Sequence, residues 1–315
     1  MTKYIARRLM LLVPTVVLVS LLVFVLMRAM PGDAASLQIG DTASREQVDA
    51  LTLQLGLDKP VYQQYFVWAS GVVRGDFGKS FRSKEPVIYD LANAIPVSAE
   101  LAIAGVITAV CVALPLGTLA ATNRARHIDY AARLVALAGL SIPSFVLGTL
   151  VVLFLAIWFG WLPPAGYVPL YVDPVTNVQQ FVFPALVVGY RSSALMTRMV
   201  RSSLLEVLQQ DYVRTAMAKG LAWRTVVTRH ALRNALIPVV TLIGTQIGAL
   251  LSGAVVTETI FSLPGVGRLF ISAVVYRDYA VVQVVILFVA LVVSLSNLIV
   301  DVVYGLVDPR VRYGQ

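Results

Sequence analysis

The sequence predicts an all-α polytopic membrane protein with six transmembrane helices and with both termini in the cytoplasm. The first supporting observation is composition: the 315 residues are 58% hydrophobic and 13% charged, and the mean hydropathy is +0.80. A soluble domain carries about a quarter charged residues, so this chain lacks the polar side chains that would cover a globule. The second observation is a series of charge-free stretches long enough to cross a bilayer. The third observation is that Lys and Arg cluster between these stretches.

The composition also excludes several other classes of protein. One Cys does not support a disulfide-stapled scaffold, two His do not support a histidine-rich metal site, and the apolar content excludes disorder. A net charge of +8 would suggest nucleic-acid binding in a soluble chain, but membrane proteins accumulate positive charge in their cytoplasmic loops. We therefore expect membrane lipid, and no nucleic acid, around this protein.

Six segments approach the roughly 20 helical residues needed to cross a hydrocarbon core of about 30 Å. The first is charge-free over 19 residues, longer than the apolar run of a signal peptide, so we expect a retained anchor rather than a cleaved leader. The third ends near Phe159, because the following Trp161-Leu-Pro-Pro-Ala-Gly sequence breaks helical geometry. The fourth is the weakest, since it contains Arg191 and Arg198. The predicted spans are Leu9–Met27, Leu101–Ala121, Leu134–Phe159, Phe181–Val200, Leu236–Thr257 and Ala280–Val300.

The basic residues set the orientation of these spans. Fifteen Lys and Arg residues lie before span one, between spans two and three, after span four and at the C-terminus. The opposite side has none between spans three and four and two, Arg268 and Arg277, between spans five and six. The segment 28–99 holds seven basic and eight acidic residues, but a loop of this length is largely exempt from the rule. The excess of positive charge therefore places both termini in the cytoplasm.

The segment 28–99 is the only sizeable extramembrane piece on the outer side. Residues 44–55 predict an amphipathic helix that opens with a capping box, and an aromatic cluster follows Pro60. Either a lid or a packed external cap is consistent with this pattern. The sequence Gly75-Asp-Phe-Gly-Lys-Ser80 imitates a phosphate-binding loop, but the first glycine of that motif falls on Val73 and the segment lies on the side away from ATP. We expect no nucleotide there.

The cytoplasmic segment between spans four and five carries the strongest local signals. Ser203 and Glu206 are spaced as a capping box that would open a helix, and Asp211 can cap a second, short helix over Tyr212–Lys219. Gly220 would end that helix with a positive φ, and a basic helix would then continue into span five. A short helix between two breaks on a basic surface fits either a helix that contacts anionic headgroups or a docking site for a cytoplasmic partner.

Charged groups inside the spans are candidates for contact with a translocated solute, because charge is costly in lipid and faces a cavity or a partner. Arg191 in span four and Glu258 at the end of span five are the candidates for such a substrate pathway. An alternative role for Glu258 is to hold the loop that follows it. Gly244, Gly248 and Ser252 have a four-residue spacing on span five that favours close helix packing.

Blocks of sequence distributed from residue 7 to residue 310 match one known family in combination. They are Arg7-Arg-Leu with Pro14, Pro31-Gly-Asp33, Leu55-Gly-Leu-Asp-Lys-Pro60, Gly75-Asp-Phe-Gly78, Asp211-Tyr-Val-Arg-Thr-Ala-Met-Ala-Lys-Gly-Leu221, Arg229-His-Ala-Leu-Arg-Asn-Ala-Leu-Ile-Pro238, Thr257-Glu-Thr-Ile-Phe-Ser-Leu-Pro-Gly-Val-Gly-Arg-Leu269 and Asp308-Pro-Arg310. Through these blocks the chain resembles the permease subunits of ABC importers, most closely those of the dipeptide, oligopeptide and nickel branch.

The resemblance implies a type I ABC-importer (MetI-like) permease fold in the bacterial inner membrane. Residues 1–95 would hold the first span and an extracytoplasmic subdomain, 96–305 the permease core with a cytoplasmic coupling loop at about 201–235, and 306–315 a cytoplasmic tail. The implied partners are a second, similar permease, one or two ABC ATPase subunits and an extracytoplasmic substrate-binding protein. ATP and Mg²⁺ would be bound by the ATPase subunits, so we expect no cofactor and no metal in this chain.

In this family the coupling loop carries a Glu-Ala-Ala-x-x-x-Gly motif whose short helix fits a groove on the ATPase. Carried over by position, Arg214, Thr215, Ala216 and Gly220 stand at its Glu, Ala, Ala and Gly. The motif's Glu is absent and Arg233 stands where many permeases have Pro, both of which resemble the peptide branch. The residues implied in ATPase coupling are Tyr212, Val213, Arg214, Thr215, Ala216, Lys219, Gly220 and Leu221.

The function implied is one half of the translocation pathway of an ATP-driven importer for di- or oligopeptides. No nucleophile–base arrangement appears in the sequence, so no catalytic residue is assigned and a non-catalytic subunit is expected. Three alternatives stay open: the same architecture importing nickel or another small solute, a stand-alone secondary transporter, and a channel or scaffold subunit.

Overall fold

The structure is a computed structural model that describes residues 2–29, 46, 52–53 and 58–307. Within these residues the fold is helical, as predicted, and the β-structure is limited to one isolated bridge between Lys79 and Pro86. The chain divides into two compact units. One comprises Pro96–Gly267 and Leu295–Gln315, and the other comprises Thr2–Ile95 and Arg268–Ser294.

Twelve α-helices are described along the chain. In order they are α1 (Thr2–Ala29), α2 (Val61–Val73), α3 (Val87–Thr122), α4 (His127–Ser141), α5 (Ser144–Phe159), α6 (Pro174–Val207), α7 (Asp211–Ala218), α8 (Trp223–Thr225), α9 (Leu232–Ala235), α10 (Ile237–Ile260), α11 (Val266–Val275) and α12 (Tyr279–Val307). A π-helical segment, Val226–Ala231, joins α8 to α9.

Several of these helices are long and apolar enough to cross a membrane. Among the described residues, length and composition identify three: Met10–Ala29 within α1, Val87–Thr122, and Tyr279–Val300 within α12. Counting each of two bent helix pairs as one span raises the number to five. A helical membrane protein with several spans is therefore confirmed, and the number six stays a prediction.

The third predicted span is wrong as a single helix. The chain breaks after Ser141, and α4 and α5 meet at an angle of 101°. Ile142 is extended (φ −83°, ψ 120°), because Pro143 disfavours helical geometry in the residue before it. The apolar stretch continues across this break, so hydropathy alone did not reveal it. The predicted end near Phe159 is confirmed, and the next residue, Gly160, has a left-handed conformation with φ 58°.

Helix α6 contains the fourth predicted span and is more polar than the helices identified above. Five of its polar side chains are buried within the protein, since α6 packs against α4, α5, α9 and α10. These buried polar residues are Asn177, Gln180, Ser192, Ser193 and Thr197. A central helix can therefore cross the unit without being apolar on every face.

Gly244 shows the close helix packing that the four-residue spacing of small residues on span five predicts. A methyl group on this residue would overlap Val300 of α12, which belongs to the same unit. The absence of a side chain therefore lets α10 and α12 approach closely, as predicted. Gly248 and Ser252 belong to the part of α10 whose side chains lie outside the described residues.

In the second unit, α2 packs against α1 through aromatic side chains. The ring centroid of Phe24 lies 5.5 Å from that of Tyr65 and 5.7 Å from that of Trp68. The hydroxyls of Tyr65 and Ser20 are hydrogen-bonded at 2.8 Å. The aromatic cluster that follows Pro60 is therefore packed against α1.

The remaining predictions for the outer segment have different outcomes. The amphipathic helix predicted over 44–55 lies largely outside the described residues. The glycine-rich sequence forms a turn in which Gly75 and Gly78 have φ values of 83° and 77°, and Asp76 Oδ1 accepts a hydrogen bond from the Gly78 N–H at 3.0 Å. A phosphate-binding loop opens directly into a helix, whereas here α3 begins only at Val87.

Candidate functional site

Helix α7 occupies the loop that the sequence predicts as the coupling segment. It spans Asp211–Ala218 and begins after Gln210, whose backbone is extended. Gly220 follows the helix with φ 80°, as predicted, and its N–H donates to the carbonyl of Met217 at 2.9 Å. A side chain would be strained in this conformation, so Gly220 permits the sharp exit from the helix.

The two helix starts predicted in this loop are corrected by the structure. Ser203 and Glu206 lie inside α6, which continues beyond them, so no new helix opens there. Helix α6 stays intact because Leu204 is fully buried in the core. Asp211 is the first residue of α7 rather than its cap, and Gln210 occupies the cap position.

The inner face of α7 is buried within the chain. Val213 and Ala216 are 0% and 7% exposed, and the hydroxyl of Tyr212 accepts a hydrogen bond from Asn234 Nδ2 at 2.8 Å. Helix α7 is therefore fixed against the unit rather than suspended on its loop. The apolar residues that hold it come from α3, α6, α7 and the segment after α7, and we call them the loop cluster: Ala121, Leu204, Val213, Ala216, Val226, Val227, Ala231 and Ala235.

The π-helical segment contributes three residues to this cluster. A π turn brings residues five apart onto one side, which aligns Val226 with Ala231. Both are fully buried, while Arg229 in the same segment is exposed. The wider turn thus directs an apolar face towards α7 and leaves the basic side chain outside.

The outer face of α7 is open to a partner. The predicted coupling residues Val213 and Ala216 face inward, whereas the exposed members of the predicted set are Tyr212, Arg214, Thr215, Lys219, Gly220 and Leu221. Met217 and Ala218 are exposed beside them and were not in that set. Arg214 forms an ion pair with Asp211 at 3.6 Å, but both side chains are exposed and such a pair contributes little stability. The exposed surface of α7 is small and mixed in polarity, and the buried face of the helix fixes it to the loop cluster.

An ion pair that the sequence analysis did not single out ties α4 to α6. Asp129 is 1% exposed and accepts hydrogen bonds from Arg201 Nε at 2.7 Å and Nη2 at 2.9 Å. The same carboxylate accepts from the N–H of Ala125 at 3.0 Å and lies 3.3 Å from Arg133 Nε. Ala125 has φ 61°, so the carboxylate also holds the connection between α3 and α4 in a left-handed conformation.

The electrostatics of this site favour the ionised carboxylate. The hydrogen bond from Arg201 is the largest influence and lowers the pKa of Asp129 to about 2, outweighing the burial that opposes ionisation. The same hydrogen bond raises the pKa of Arg201. The pair is therefore fully charged at neutral pH. A signal for it existed in the sequence, because Asp129 is the only acidic residue in the basic connection 123–133.

Glu258 is 0% exposed and holds the loop that follows α10. Its Oε1 accepts a hydrogen bond from Ser98 Oγ at 2.6 Å, and that hydroxyl accepts one from the Val266 N–H at 2.8 Å. The carbonyl of Glu258 accepts from the Leu263 N–H at 2.8 Å. A methyl group on Gly265 would overlap the carboxyl group, which explains a glycine there. This geometry fits the loop-holding role, and a solute would reach Glu258 only if the packing opened.

Arg191, the other predicted pathway residue, is exposed on α6. Among the described residues no acceptor or acidic side chain pairs with it, and the structure shows no hydrogen bond or ion pair that joins it to Glu258. An arginine on an exposed face of a predicted span needs water or a partner subunit around it.

The described part of the chain offers no group of three or more His, Cys, Asp or Glu side chains that could hold a metal ion. The two histidines, His127 and His230, lie on different elements, at the start of α4 and in the π-helical segment.

Two family models match the chain. The model described as "Binding-protein-dependent transport system inner membrane component" matches residues 113–313. The model described as "Binding-prot-dependent transport system membrane comp, N-term" matches residues 1–102.

Curated relatives match over the full length. The chain is 42% identical over 334 residues to the di/tripeptide transport system permease protein DppB of Pseudomonas aeruginosa (strain UCBPP-PA14), with 99% of each chain covered. It is 40% identical over 313 residues to the glutathione transport system permease protein GsiC of Escherichia coli (strain K12), covering 99% of this chain and 100% of that protein.

Solved structures show the same fold. A structure of the inward-facing methionine ABC transporter MetNI superposes with a TM-score of 0.58 at 16% identity, covering 71% of this chain and 99% of the matched chain. A crystal structure of an amino acid ABC transporter with histidines has a TM-score of 0.53 at 14% identity, with coverages of 69% and 94%. At these identities the likeness concerns the fold alone.

Proposed function

Since the chain belongs to the family of binding-protein-dependent transport system inner membrane components, we propose that it is the permease subunit of an ATP-driven importer of short peptides. The observation that carries this proposal is the full-length similarity to two permease proteins whose names specify di/tripeptides and glutathione. Glutathione is itself a tripeptide, so both names point to the same chemical class of cargo. The chain would form one half of the translocation pathway.

The proposed topology has six spans with both termini in the cytoplasm of a bacterium. Its support is the charge distribution, together with the helices that match spans one, two, five and six in position. Helix α6 would supply the fourth crossing, since five of its polar side chains are buried against neighbouring helices. Residues 1–95 would form the first span and an extracytoplasmic subdomain, 96–305 the permease core, and 306–315 a cytoplasmic tail.

The coupling surface in this proposal is the outer face of α7. A cytoplasmic ATPase subunit would contact Thr215, Met217 and Lys219, while the buried pair Val213 and Ala216 keeps the helix fixed to α3 and α6 through the loop cluster. A displacement of α7 would then move the ends of α3 and α6 with it, because packed side chains transmit rigid-body motion. ATP-driven closure of the ATPases would thereby switch the pathway between outward-facing and inward-facing states.

The remaining partners follow from the family description. A binding-protein-dependent system requires a separate extracytoplasmic binding protein, and one half-pathway requires a second permease subunit. ATP and Mg²⁺ would bind to the ATPase subunits, and this chain would hold no cofactor. Arg191 is the residue of the predicted pathway that is open to such a second subunit or to the cargo.

The experiment is uptake by the reconstituted complex. The two permeases, the ATPases and the binding protein are placed in proteoliposomes with ATP inside or outside, and accumulation of a labelled dipeptide is followed. We expect accumulation that requires both ATP on the ATPase side and the binding protein. Transport driven by an ion gradient without ATP would contradict the proposal and indicate a secondary transporter.

The same assay identifies the cargo. Unlabelled tripeptide and glutathione should compete with the dipeptide, whereas Ni²⁺ should not. Competition by Ni²⁺ alone, or saturable Ni²⁺ uptake without peptide uptake, would assign the chain to a metal-importing relative of the same architecture.

A further inference from the structure

Helix α6 has one exposed face in its C-terminal half. Between residues 190 and 202 its exposed residues are Arg191, Leu195, Arg198 and Ser202. A spacing of four, three and four residues places them on one side of the helix. We call this face the arginine stripe.

The other sides of this part of α6 are packed against neighbouring helices. A methyl group on Gly189 would overlap Thr108 of α3, and one on Gly139 of α4 would come within 3.3 Å of Ala194 Cβ. Helix α10 also packs against α6. The arginine stripe is therefore the side of α6 that the described helices leave uncovered.

The two guanidinium groups of the stripe have no partner in the part of the chain that the structure describes. Neither Arg191 nor Arg198 donates a side-chain hydrogen bond or pairs with a carboxylate there. By contrast Arg201, the third arginine of α6, lies off the stripe and binds Asp129. The positive charge of the stripe is thus left for a group from outside the chain.

The depth of Arg191 argues against a lipid headgroup as that group. Arg191 is ten residues from the start of the predicted span and nine from its end, or about 15 and 13 Å along the helix axis. Headgroups lie at the two ends of a span, so they would account for Arg198 but not for Arg191. A charge near the middle of a span faces a water-filled cavity or a partner.

The proposed cargo supplies a complementary charge. Every unmodified short peptide carries a terminal carboxylate, whatever its side chains, and a guanidinium can bind a carboxylate through two parallel hydrogen bonds. Arg191 and Arg198 are seven residues apart, or about 10 Å along the axis. An extended tripeptide is about 10 Å long, so its carboxylate could move from one arginine to the next within one length of the cargo.

The stripe also allows the cargo to leave. Both arginines are exposed, and contacts between exposed charges are weak enough to break during transport. Beyond the predicted span, four residues after Ser202, the next residue exposed on this side is Glu206. Its negative charge would repel a carboxylate and favour release at the cytoplasmic end in the proposed topology.

We propose that Arg191 and Arg198 bind the terminal carboxylate of the translocated peptide in succession. The inference rests on the proposed function for the nature of the cargo. It adds Arg198 to the predicted pathway and assigns both arginines to one chemical group of the cargo.

The test compares uptake of two labelled dipeptides by the reconstituted complex in phosphatidylcholine proteoliposomes. One dipeptide has a free carboxylate and the other a C-terminal amide, and both are supplied on saturating, loaded binding protein. The ratio of the two uptake rates is measured for the wild type and for each variant. Any preference of the binding protein cancels when these ratios are compared.

The ratio should respond most to Arg191. Arg191→Gln should lower uptake of the free-carboxylate dipeptide about tenfold and uptake of the amide less than about twofold. Arg191→Lys should cause a smaller loss, because an ammonium keeps the charge but not the bidentate contact. Arg198→Gln should lower free-carboxylate uptake about threefold, since Arg198 lies nearer to the water at the end of the span.

Two control variants separate the charge of the stripe from other effects. Leu195→Ala changes the shape of the stripe but not its charge, so it should leave the ratio of the two uptake rates unchanged. Arg124→Gln removes an exposed positive charge of the same unit, in the connection between α3 and α4, and should change either rate less than about twofold. Each variant is checked by its ATP hydrolysis, by co-purification of the two permeases and by its thermal unfolding midpoint.

A photoreactive dipeptide gives a second measurement that does not need the amide to be imported. A dipeptide with a free carboxylate and a benzophenone side chain is illuminated during turnover, and its adducts are mapped by mass spectrometry. We expect adducts on α6 between residues 187 and 202, and a loss of about threefold or more in their yield in Arg191→Gln. Adducts confined to other helices would overturn the inference, whether or not the complex carries the amide.

The outcomes separate this inference from the proposed function. If the wild-type complex imports neither dipeptide, the proposed function itself is contradicted. If the wild type imports the free dipeptide and Arg191→Gln imports it equally well, only the role of the stripe is overturned. Equal loss of both dipeptides together with loss of the second permease on purification would overturn it in favour of an ion pair between subunits. An effect of Arg191 seen only when phosphatidylglycerol is added would overturn it in favour of a lipid headgroup.

Discussion

Asp129 and Glu258 are two buried carboxylates of the same compact unit that hold loops by different means. Asp129 binds the guanidinium of Arg201 and the backbone of the turn before α4. Glu258 binds the hydroxyl of Ser98, which in turn holds the backbone at the start of α11. Asp129 thus accepts hydrogen bonds from a guanidinium, whereas Glu258 accepts one from a bridging hydroxyl and fills the space that a side chain on Gly265 would need.

A charged residue is easy to select as a candidate from a sequence when its neighbours in the chain are apolar. Glu258 stands in an apolar run and was selected as a candidate, although its burial fits a structural role better than contact with cargo. Asp129 stands among arginines and was not selected, although it is almost as deeply buried. Partners that are distant in the chain, such as Arg201, decide whether a charged loop residue is solvated or buried. Sequence spacing does not contain that information.

The largest effect is expected from Asp129→Asn. The substitution leaves Arg201 without a carboxylate in a mostly buried place, and should destabilise the complex by about 3 kcal/mol. The measurement is the thermal unfolding midpoint of the purified complex. Asp211→Asn is the matched control, since its ion pair with Arg214 is exposed and its loss should be below about 1 kcal/mol. Equal unfolding midpoints for the two variants would contradict the expectation that the buried ion pair stabilises the complex more than the exposed pair does.

The next largest effect is expected at the Glu258 site, from Gly265→Ala. The added methyl group would overlap the buried carboxyl group of Glu258, so overpacking should cost about 2 kcal/mol. Gly166→Ala is a useful comparison, because Gly166 has open space around it and any cost there comes from its positive φ alone. The thermal midpoints of both variants are compared, and a Gly265→Ala protein as stable as the wild type would show that the loop does not pack as described.

A smaller effect is expected from Ser98→Ala, which removes the hydroxyl bridging Glu258 and Val266. The loss of two buried hydrogen bonds should cost about 1–2 kcal/mol, less than the loss of the Asp129 charge. Ser202→Ala is the control, since that hydroxyl is exposed and bonds only to carbonyls of its own helix. If Ser98→Ala destabilised more than Asp129→Asn, the ranking of the two sites would be reversed.

The smallest effect is the change with pH in the stability that the ionised Asp129 contributes. Asp129 has a pKa of about 2 in the folded protein, below the value of about 3.9 expected when unfolded, so its ionised form contributes stability above about pH 4. That contribution is lost as the pH falls from about 4 towards 2. The difference in unfolding midpoint between wild type and Asp129→Asn should therefore stay constant from about pH 8 to about pH 5 and shrink at about pH 4 and below. A difference that disappeared already near pH 6 would contradict an ionised Asp129.

Several features of the fold followed directly from the sequence. The spans at the two ends of the chain, the end of α5 at Phe159 and the positive φ of Gly220 were predicted because each depends on local chemistry. The break after Ser141 was not predicted, because a proline either bends or ends a helix according to its tertiary surroundings.

The candidate site was predicted in part. The position of α7 followed from the motif and from Gly220, but the division between its inner and outer faces did not. Val213 and Ala216 were included among the coupling residues, whereas their burial depends on the approach of Ala121 and Leu204 from other helices. Periodicity alone gives an eight-residue helix two faces without stating which one meets the protein.

The central claim is that the outer face of α7 meets an ATPase subunit, and site-directed photocross-linking tests it most directly. The chain has one cysteine, Cys111, so a Cys111→Ser background allows a benzophenone probe to be attached at Thr215→Cys on the outer face or at Arg74→Cys in the other unit. In the assembled complex, the probe at residue 215 should cross-link to an ATPase subunit and the yield should change with ATP, while the probe at residue 74 should not reach that subunit. A probe at residue 215 that labels only lipid or nothing, in a complex that still hydrolyses ATP and imports peptide, would contradict the account.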